Sequence, residues 1–101
     1  MARPRDPDVI AERELVCESD LRKKLLIKIT RPKPGSAAVD FECAYQIVGP
    51  GVDINRYAVG ADELQSLQLA CVAIGAHLAM VEKQWCDLLT WRGGDCGFSK
   101  G

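Results

Sequence analysis

The most extended pattern in the chain is an apolar stretch from Asp62 to about Gln84, which predicts one long helix. Many of its apolar residues follow each other at alternating steps of three and four, and that spacing places them in one stripe along a helix. The stripe contains Leu64, Leu67, Cys71, Ile74, Leu78, Val81 and Trp85. The opposite side is also largely apolar and contains Leu69, Val72, Ala73, Ala76 and Met80. A helix that rests on a sheet buries one face, so the second apolar face predicts contact with a partner.

Local signals mark the start of this helix clearly. Gly60 and Ala61 interrupt the preceding apolar segment, and Asp62 is a preferred N-cap residue. Gln65 follows three residues later, which is the arrangement of a capping box. The end is less sharply marked, because no glycine directly follows Lys83.

Four segments before the helix have the composition and the partial period-two alternation that are typical of β-strands. They run over Val9–Cys17, Leu25–Thr30, Asp40–Val48 and Ile54–Val59. The segment Arg31–Ser36 contains two prolines and a glycine, which predicts a loop. The turn Gly49–Gly51 is short and predicts an antiparallel hairpin between the third and fourth strands.

Together these elements predict an α+β fold, a four-stranded antiparallel meander with one long helix packed on one face. A single helix cannot supply the crossovers of a parallel sheet. Two alternatives stay open for residues 85–98: a short fifth strand near Leu88–Trp91, or a segment that covers the outer side of the helix. The length of 101 residues predicts a single domain over residues 1–101, with residues 1–8 disordered.

The composition excludes several classes of partner. Thirteen basic and fourteen acidic residues give a net charge of -1, which argues against nucleic-acid binding. No uninterrupted apolar run reaches the roughly eighteen residues of a membrane-spanning helix, because Gln65, Gln68 and His77 interrupt the long one. Residues 1–8 have no apolar segment of the kind that a signal peptide needs. We therefore expect a cytoplasmic protein with no membrane partner.

The cysteines point to neither disulfides nor a metal site. They are Cys17, Cys43, Cys71, Cys86 and Cys96. An odd number argues against a fully paired disulfide framework. A zinc site usually brings its ligands in closely spaced pairs, and no such pair occurs here. We therefore expect no metal and no cofactor, with the first three cysteines as small buried groups.

Candidate chemistry is sparse, and the sequence identifies no catalytic residue. His77 is the only histidine, and a helical histidine without a catalytic role is its simpler interpretation. Cys71 lies on another side of the same helix, so the two do not form a nucleophile–base pair. The glycine-rich tail could still close a small-ligand site at the helix end. Its candidate binding residues are His77, Trp91, Arg92 and Asp95.

Two stretches of the chain are distinctive in combination. One is the helix start from Val59 to Ala70 with Ala73–Ala76 after it, and the other is Leu89–Trp91 with the glycines that follow. Together they resemble the signature of a small bacterial family of unknown function whose chains are about this long. The resemblance covers residues 59–98, whereas the N-terminal half is similar in its strand pattern alone. It implies the same fold and a bacterial source, but it implies no activity and no role for any residue.

Two classes of function follow from these observations. The first is a non-catalytic protein-interaction module that binds a second copy or another protein through Leu69, Val72, Ala73, Ala76 and Met80. An immunity protein that neutralises a toxin domain is one form of it, by analogy of size and fold class. The second class is a small-ligand binder or weak enzyme with its site at the helix end. The second apolar face of the helix favours the first class over an enzyme.

Overall fold

The computed structural model describes residues 8–35, 39–92, 94 and 97–98, and within them the chain forms six β-strands and one α-helix. The elements are β1 (Val9–Cys17), β2 (Lys24–Thr30), β3 (Lys33–Pro34), β4 (Phe41–Gly49), β5 (Val52–Gly60), α1 (Glu63–Trp85) and β6 (Leu89–Thr90). The predicted α+β fold with one long helix on an antiparallel sheet is therefore confirmed.

The strands form one antiparallel sheet in which β1, β2, β4 and β5 follow each other as a meander. The turn of the predicted β4–β5 hairpin contains Gly51 with φ of 70°, which glycine adopts without steric cost. On β1, the register shifts between Val9 and Ala11, so Ile10 is an extra residue in a β-bulge. This bulge explains why Ile10 breaks the alternation of β1 in the sequence.

The loop predicted for Arg31–Ser36 is wrong at two residues, because β3 lies within it. β3 pairs with Phe41 and Glu42 at the start of β4. A proline removes one N–H donor from a strand, but its carbonyl can still accept a hydrogen bond at the end of a ladder. The two prolines therefore shorten this strand without preventing it.

The helix α1 begins at the predicted N-cap. The Asp62 carboxylate accepts a hydrogen bond of 2.7 Å from the Gln65 backbone N–H, and Gln65 Oε1 accepts one of 2.6 Å from the Ala61 N–H. The capping box is thus present, with its return bond one residue earlier than usual. The helix ends at Trp85, and Cys86 takes the left-handed conformation with φ of 52° that glycine usually occupies there.

The buried face of α1 is rotated relative to the predicted stripe. We call it the inner face; its buried side chains are Ser66, Ala70, Ile74, Leu78 and Val81. Leu64, which the stripe included, is 62% exposed. The helix lies over β4 and β5, and Gly60 at the end of β5 is so close that an added Cβ would overlap the Ser66 backbone nitrogen. At the helix start, this close approach places the small residues Ser66 and Ala70 against the sheet.

The hydrophobic core lies between the inner face of α1 and one side of the sheet. Its strand residues are Leu15, Cys17, Leu25, Ile27, Ile29, Cys43, Tyr45, Ile47, Val52 and Leu89. They occupy alternate positions along their strands, so they share the face that α1 covers. The predicted burial of Cys17 and Cys43 is confirmed, whereas Cys71 is half-buried at the edge of the core.

The described part of the C-terminal segment contains a short strand, which is one of the two alternatives that the sequence leaves open. β6 pairs with the end of β1, with Thr90 opposite Val16 and Leu89 opposite Cys17. Phe98 also packs against the core. The predicted short strand after the helix is therefore confirmed, and it lies beside β1 in the sheet.

At the other end of the chain, residues 1–7 of the segment predicted to be disordered lie outside the described residues. Asp8 directly precedes β1 and forms ion pairs with Lys33 and Arg31. The hydrogen bond from Lys33, with a further one from Arg31, lowers the pKa of the Asp8 carboxyl.

Candidate interaction surface

The outer face of α1 is the exposed side of the helix, opposite the inner face. Its exposed residues are Gln65, Gln68, Leu69, Val72, Ala76, Met80 and Lys83. The side chains of Leu69, Val72 and Met80 are 42%, 61% and 68% exposed. Single exposed apolar residues are ordinary, but these three share one side of the helix.

The central part of this face carries no charge. Residues 64–81 contain no Asp, Glu, Lys or Arg, so the outer face is as free of charge as the inner face. A surface helix normally presents charged residues to water on the side that faces away from the core. The charged residues of α1 are confined to its two ends, with Glu63 in the first turn and Lys83 in the last.

Four of the five predicted interface residues lie on this exposed side. Ala73 is the exception, because it is half-buried and packs against the core. The small side chains of Ala73, Ala76 and Ala79 keep the helix surface shallow, which lets a second helix approach closely. The binding role of these residues stays a prediction.

The helix α1 is long and apolar enough, by length and composition, to cross a membrane. The core helix of a globular protein meets the same criterion, and α1 packs on the sheet through its inner face. About a third (33%) of its most apolar window is buried inside the domain. The apolar residues of α1 are therefore divided between the core and a face that contacts solvent.

His77 lies at the border between the two faces and contacts the sheet. Its Nε2 atom is 3.1 Å from the hydroxyl of Tyr45 on β4, which is buried. Burial lowers the pKa of His77, and the positive charge of Arg56 lowers that pKa further. Burial raises the pKa of Tyr45. At neutral pH the two groups are therefore uncharged, and their hydrogen bond joins α1 to the sheet.

A cluster around Arg13 is the feature that sequence reasoning missed. The Arg13 guanidinium lies 3.9 Å from the ring centroid of Trp91 and 5.7 Å from that of Phe98, which is cation–π geometry. Gly97 has φ of 90°, and an added Cβ there would overlap the guanidinium. The available signal was a basic residue on the apolar side of β1 together with two aromatic residues in a glycine-rich tail.

The structure does not bring the predicted ligand-binding residues into one site. His77 contacts Tyr45, whereas Trp91 stacks on Arg13 of β1. The Arg92 guanidinium lies 5.2 Å from the Trp91 ring centroid. Asp95 lies outside the described residues. The set is thus divided between an isolated histidine and a pair that follows β6, and its ligand role stays a prediction.

Three of the thiols that the structure describes are shielded from solvent. Cys17, Cys43, Cys71 and Cys86 are free. Burial raises the pKa of the first three of these thiols, so they are protonated at neutral pH and weak as nucleophiles. Among the residues that the structure describes, no group of three or more His, Cys, Asp or Glu side chains is placed to hold a metal.

Two surface grooves beside the core are open rather than enclosed. One of about 590 Å³ lies on the open side of the sheet, where Lys28, Gln46 and Asp53 line it. A second of about 250 Å³ lies between α1 and β1, where Arg13 and Cys71 line it. The only histidine of the chain lines neither groove. Neither groove therefore combines a histidine base with a nucleophile.

These features define a two-layer α+β domain in which one helix covers an antiparallel sheet and keeps an uncharged, exposed outer face. The chain belongs to the DUF6968 family, a domain of unknown function, whose family model matches residues 11–100. A search of the curated proteins gave no match, and a search of the solved structures gave none either. The family agrees with the resemblance to a family of unknown function, and its description names no activity.

Proposed function

We propose that this protein is a non-catalytic protein-interaction module of the bacterial cytoplasm, and that it binds its partner through the outer face of α1. The observation that carries the proposal is the exposure of Leu69, Val72 and Met80 on a helix whose residues 64–81 have no charge. A partner that covered this apolar area would remove it from water, which is favourable by roughly 25 cal/mol per Å².

The chemistry of the rest of the domain supports binding over catalysis. An enzyme needs a nucleophile or an acid–base group that is positioned in a pocket. Here the histidine is hydrogen-bonded to a buried tyrosine, and burial keeps three of the described thiols protonated. The grooves of about 590 Å³ and about 250 Å³ are open to solvent.

The compartment and the source rest on the thiols and on the family resemblance. Cys86 is an exposed free thiol, and Cys71 is a half-buried one. Exposed thiols persist in reducing compartments such as the cytoplasm, whereas oxidising compartments favour disulfides. The resemblance of residues 59–98 to a bacterial family supports a bacterial source.

Site-specific photo-crosslinking in the cells that produce the protein tests this proposal. A photoreactive phenylalanine analogue at Val72, which is 61% exposed, is expected to give a covalent protein adduct after irradiation. The same analogue at Tyr57 is the matched control, because Tyr57 is 60% exposed on the open side of the sheet. Mass spectrometry of the adduct identifies the partner, and a toxin domain there would narrow the function to neutralisation.

A second variant shows whether the adduct depends on the surface. The analogue at Met80 is expected to give the same adduct in the wild-type background and to lose it when Val72→Asp is added. Adducts that form equally from Tyr57, or that persist with Val72→Asp, would overturn the assignment of the outer face. Absence of any adduct from both Val72 and Met80 would overturn the interaction function itself.

A further inference from the structure

We infer that the partner on the outer face of α1 is a second copy of this chain, and that the two helices pack antiparallel about a two-fold axis between Val72 and Ala76. This inference rests on the proposed interaction function and names its partner. Three features of the outer face carry it: the spacing of its residues, the order of their sizes from large to small along the helix, and the placement of charge at its ends.

The spacing is that of a two-helix seam. A straight line along the outer face passes through Gln65, Leu69, Val72, Ala76, Ala79 and Lys83. The steps between them are four, three, four, three and four residues. Alternation of four and three is the pattern by which one helix packs along another over several turns. All of these residues are exposed except Ala79, which is half-buried.

The order of sizes along this line makes it complementary to itself when the second helix runs in the opposite direction. In that arrangement Leu69 lies opposite Ala79 of the second copy, and Val72 lies opposite Ala76. Each large side chain therefore meets a small one, which fills the seam without voids or overlap. Met80 lies beside the line and would cover its edge, which accounts for a 68% exposed apolar side chain.

A parallel arrangement would fit less well. Leu69 would then meet Leu69, and the alanines would face each other across a gap. Lys83 would also meet Lys83, which is a repulsive contact. In the antiparallel arrangement, Lys83 lies instead beside the acidic helix start of the second copy, where Asp62 and Glu63 are. The helix dipoles then also oppose each other favourably.

The expected contact is small. The seam from Gln65 to Lys83 is about 28 Å long and roughly 10 Å wide, which gives about 300 Å² per copy. Stable interfaces bury about 800 Å² per partner. The dimer is therefore a weak one, with a dissociation constant on the order of micromolar or higher.

Sedimentation velocity of the purified full chain tests the second copy as partner. Over about 1 to 500 μM, the weight-average mass of the wild type is expected to rise from the monomer toward the dimer. Val72→Asp places two carboxylates in the centre of the seam and is expected to weaken the dimer about 10-fold or more. Ala76→Glu is a second variant with the same expectation. Val39→Asp is the matched control, because Val39 is 77% exposed in a turn distant in sequence from α1.

Cysteine pairing tests the orientation. In a background with Cys71, Cys86 and Cys96 replaced by serine, Val72→Cys and Ala76→Cys are made as separate single variants. The antiparallel seam predicts that a mixture forms the mixed disulfide under mild oxidation, because positions 72 and 76 face each other. Each variant alone is expected to cross-link far more slowly, since its own two thiols lie about one helical turn apart.

The outcomes separate this inference from the proposed function. A wild type that stays monomeric up to the highest concentration, together with a foreign adduct from Val72 in cells, overturns the second copy and keeps the interaction function. A dimer that Val72→Asp and Ala76→Glu leave unchanged overturns the seam. Faster pairing within Val72→Cys alone than in the mixture overturns the antiparallel arrangement.

Discussion

The inner and outer faces of α1 are both nearly free of charge, yet the domain buries only one of them. The buried face begins with Ser66 and Ala70, whereas the exposed face includes Leu69 and Val72, which have larger apolar side chains. Side-chain hydrophobicity alone would have selected the opposite orientation for this half of the helix. The distance between helix and sheet decides instead which side chains fit between them.

The close approach begins where β5 passes into the helix. Gly60 leaves room for the backbone of the first helical turn, which lies almost directly on it. Ser66 is fully buried there, and its hydroxyl donates a 2.9 Å hydrogen bond to the carbonyl of Glu63. Because this hydroxyl has an acceptor, its burial costs little. A small polar residue can therefore replace a large apolar one at a point where space is the limiting factor.

The largest expected effect comes from shortening a side chain of the inner face. Ile74 is fully buried between α1 and the sheet. Ile74→Ala is expected to lower the free energy of unfolding by about 2–5 kcal/mol, because it removes buried methylene groups and leaves a cavity. Urea denaturation followed by circular dichroism measures this loss.

The matched control lies on the opposite side of the same helix. Val72→Ala also shortens a β-branched residue, but its side chain is 61% exposed. Its effect on the monomer is expected to stay within about 0.5 kcal/mol. Both proteins are compared at concentrations below dimer formation. Equal losses for Ile74→Ala and Val72→Ala would mean that the two faces do not differ in packing.

Much of the fold was predictable because its signals are local. The alternation in Asp40–Val48 marks β4, the turn at Gly49–Gly51 marks the hairpin, and Asp62 with Gln65 marks the helix start. The position of the inner face was not predictable in the same way. It depends on how closely α1 approaches β5, which is a tertiary property that no local spacing encodes.

A second effect is expected from a side chain that forces the start of α1 away from β5. Gly60→Ala places a methyl group against the backbone of Ser66, which cannot move as a side chain can. Overpacking of this kind is expected to cost about 1–3 kcal/mol in the free energy of unfolding. Gly94→Ala is the control, because among the described residues a methyl group there would contact the Trp91 carbonyl at an ordinary 3.8 Å. Thermal unfolding of both variants measures the difference; similar melting temperatures would contradict the close approach.

A smaller effect is expected at the border between the two faces, where the Tyr45 hydroxyl contacts His77 at 3.1 Å. Tyr45→Phe keeps the ring and removes the hydroxyl, which is expected to cost about 0.5–1.5 kcal/mol in the free energy of unfolding. Tyr57→Phe makes the same chemical change at a 60% exposed position and is expected to have almost no effect. Urea denaturation distinguishes the two variants. Equal effects would show that the hydrogen bond between Tyr45 and His77 does not stabilise the fold.

The candidate surface was more predictable than the clusters beside it. Helical spacing alone identified Leu69, Val72 and Met80, because a helix repeats regularly whatever lies around it. The cation–π contacts of Arg13 with Trp91 and Phe98 join residues that are far apart in the chain. Those contacts require β6 to pair with β1. Because β6 contains only two residues, its sequence pattern is too short to predict which strand it pairs with.

The smallest expected effect is a pH dependence that His77 contributes. Burial, with Arg56 nearby, lowers the pKa of His77 below its ordinary value of 6.5. The unfolded chain therefore binds the proton more readily than the folded domain, so acidification favours unfolding. The contribution of His77 to stability is complete above about pH 6.5 and is lost as the pH falls from there through the lowered pKa of the folded state. The carboxyls of Asp8 and Asp87, whose pKa values are also lowered, act only at more acidic pH.

His77→Gln removes this titration while keeping a side chain that can hydrogen-bond to the Tyr45 hydroxyl. Urea denaturation at several values from about pH 7.5 to about pH 5 is expected to show a stability slope in the wild type that is reduced in His77→Gln. The variant is also expected to be closest to the wild type at the acidic end of this range, where the wild type has lost the contribution of the neutral imidazole. Parallel slopes for the two proteins would show that the imidazole is equally solvated in the folded and unfolded chains. His77 would then be solvated in the folded domain, and it would count among the residues of the outer face.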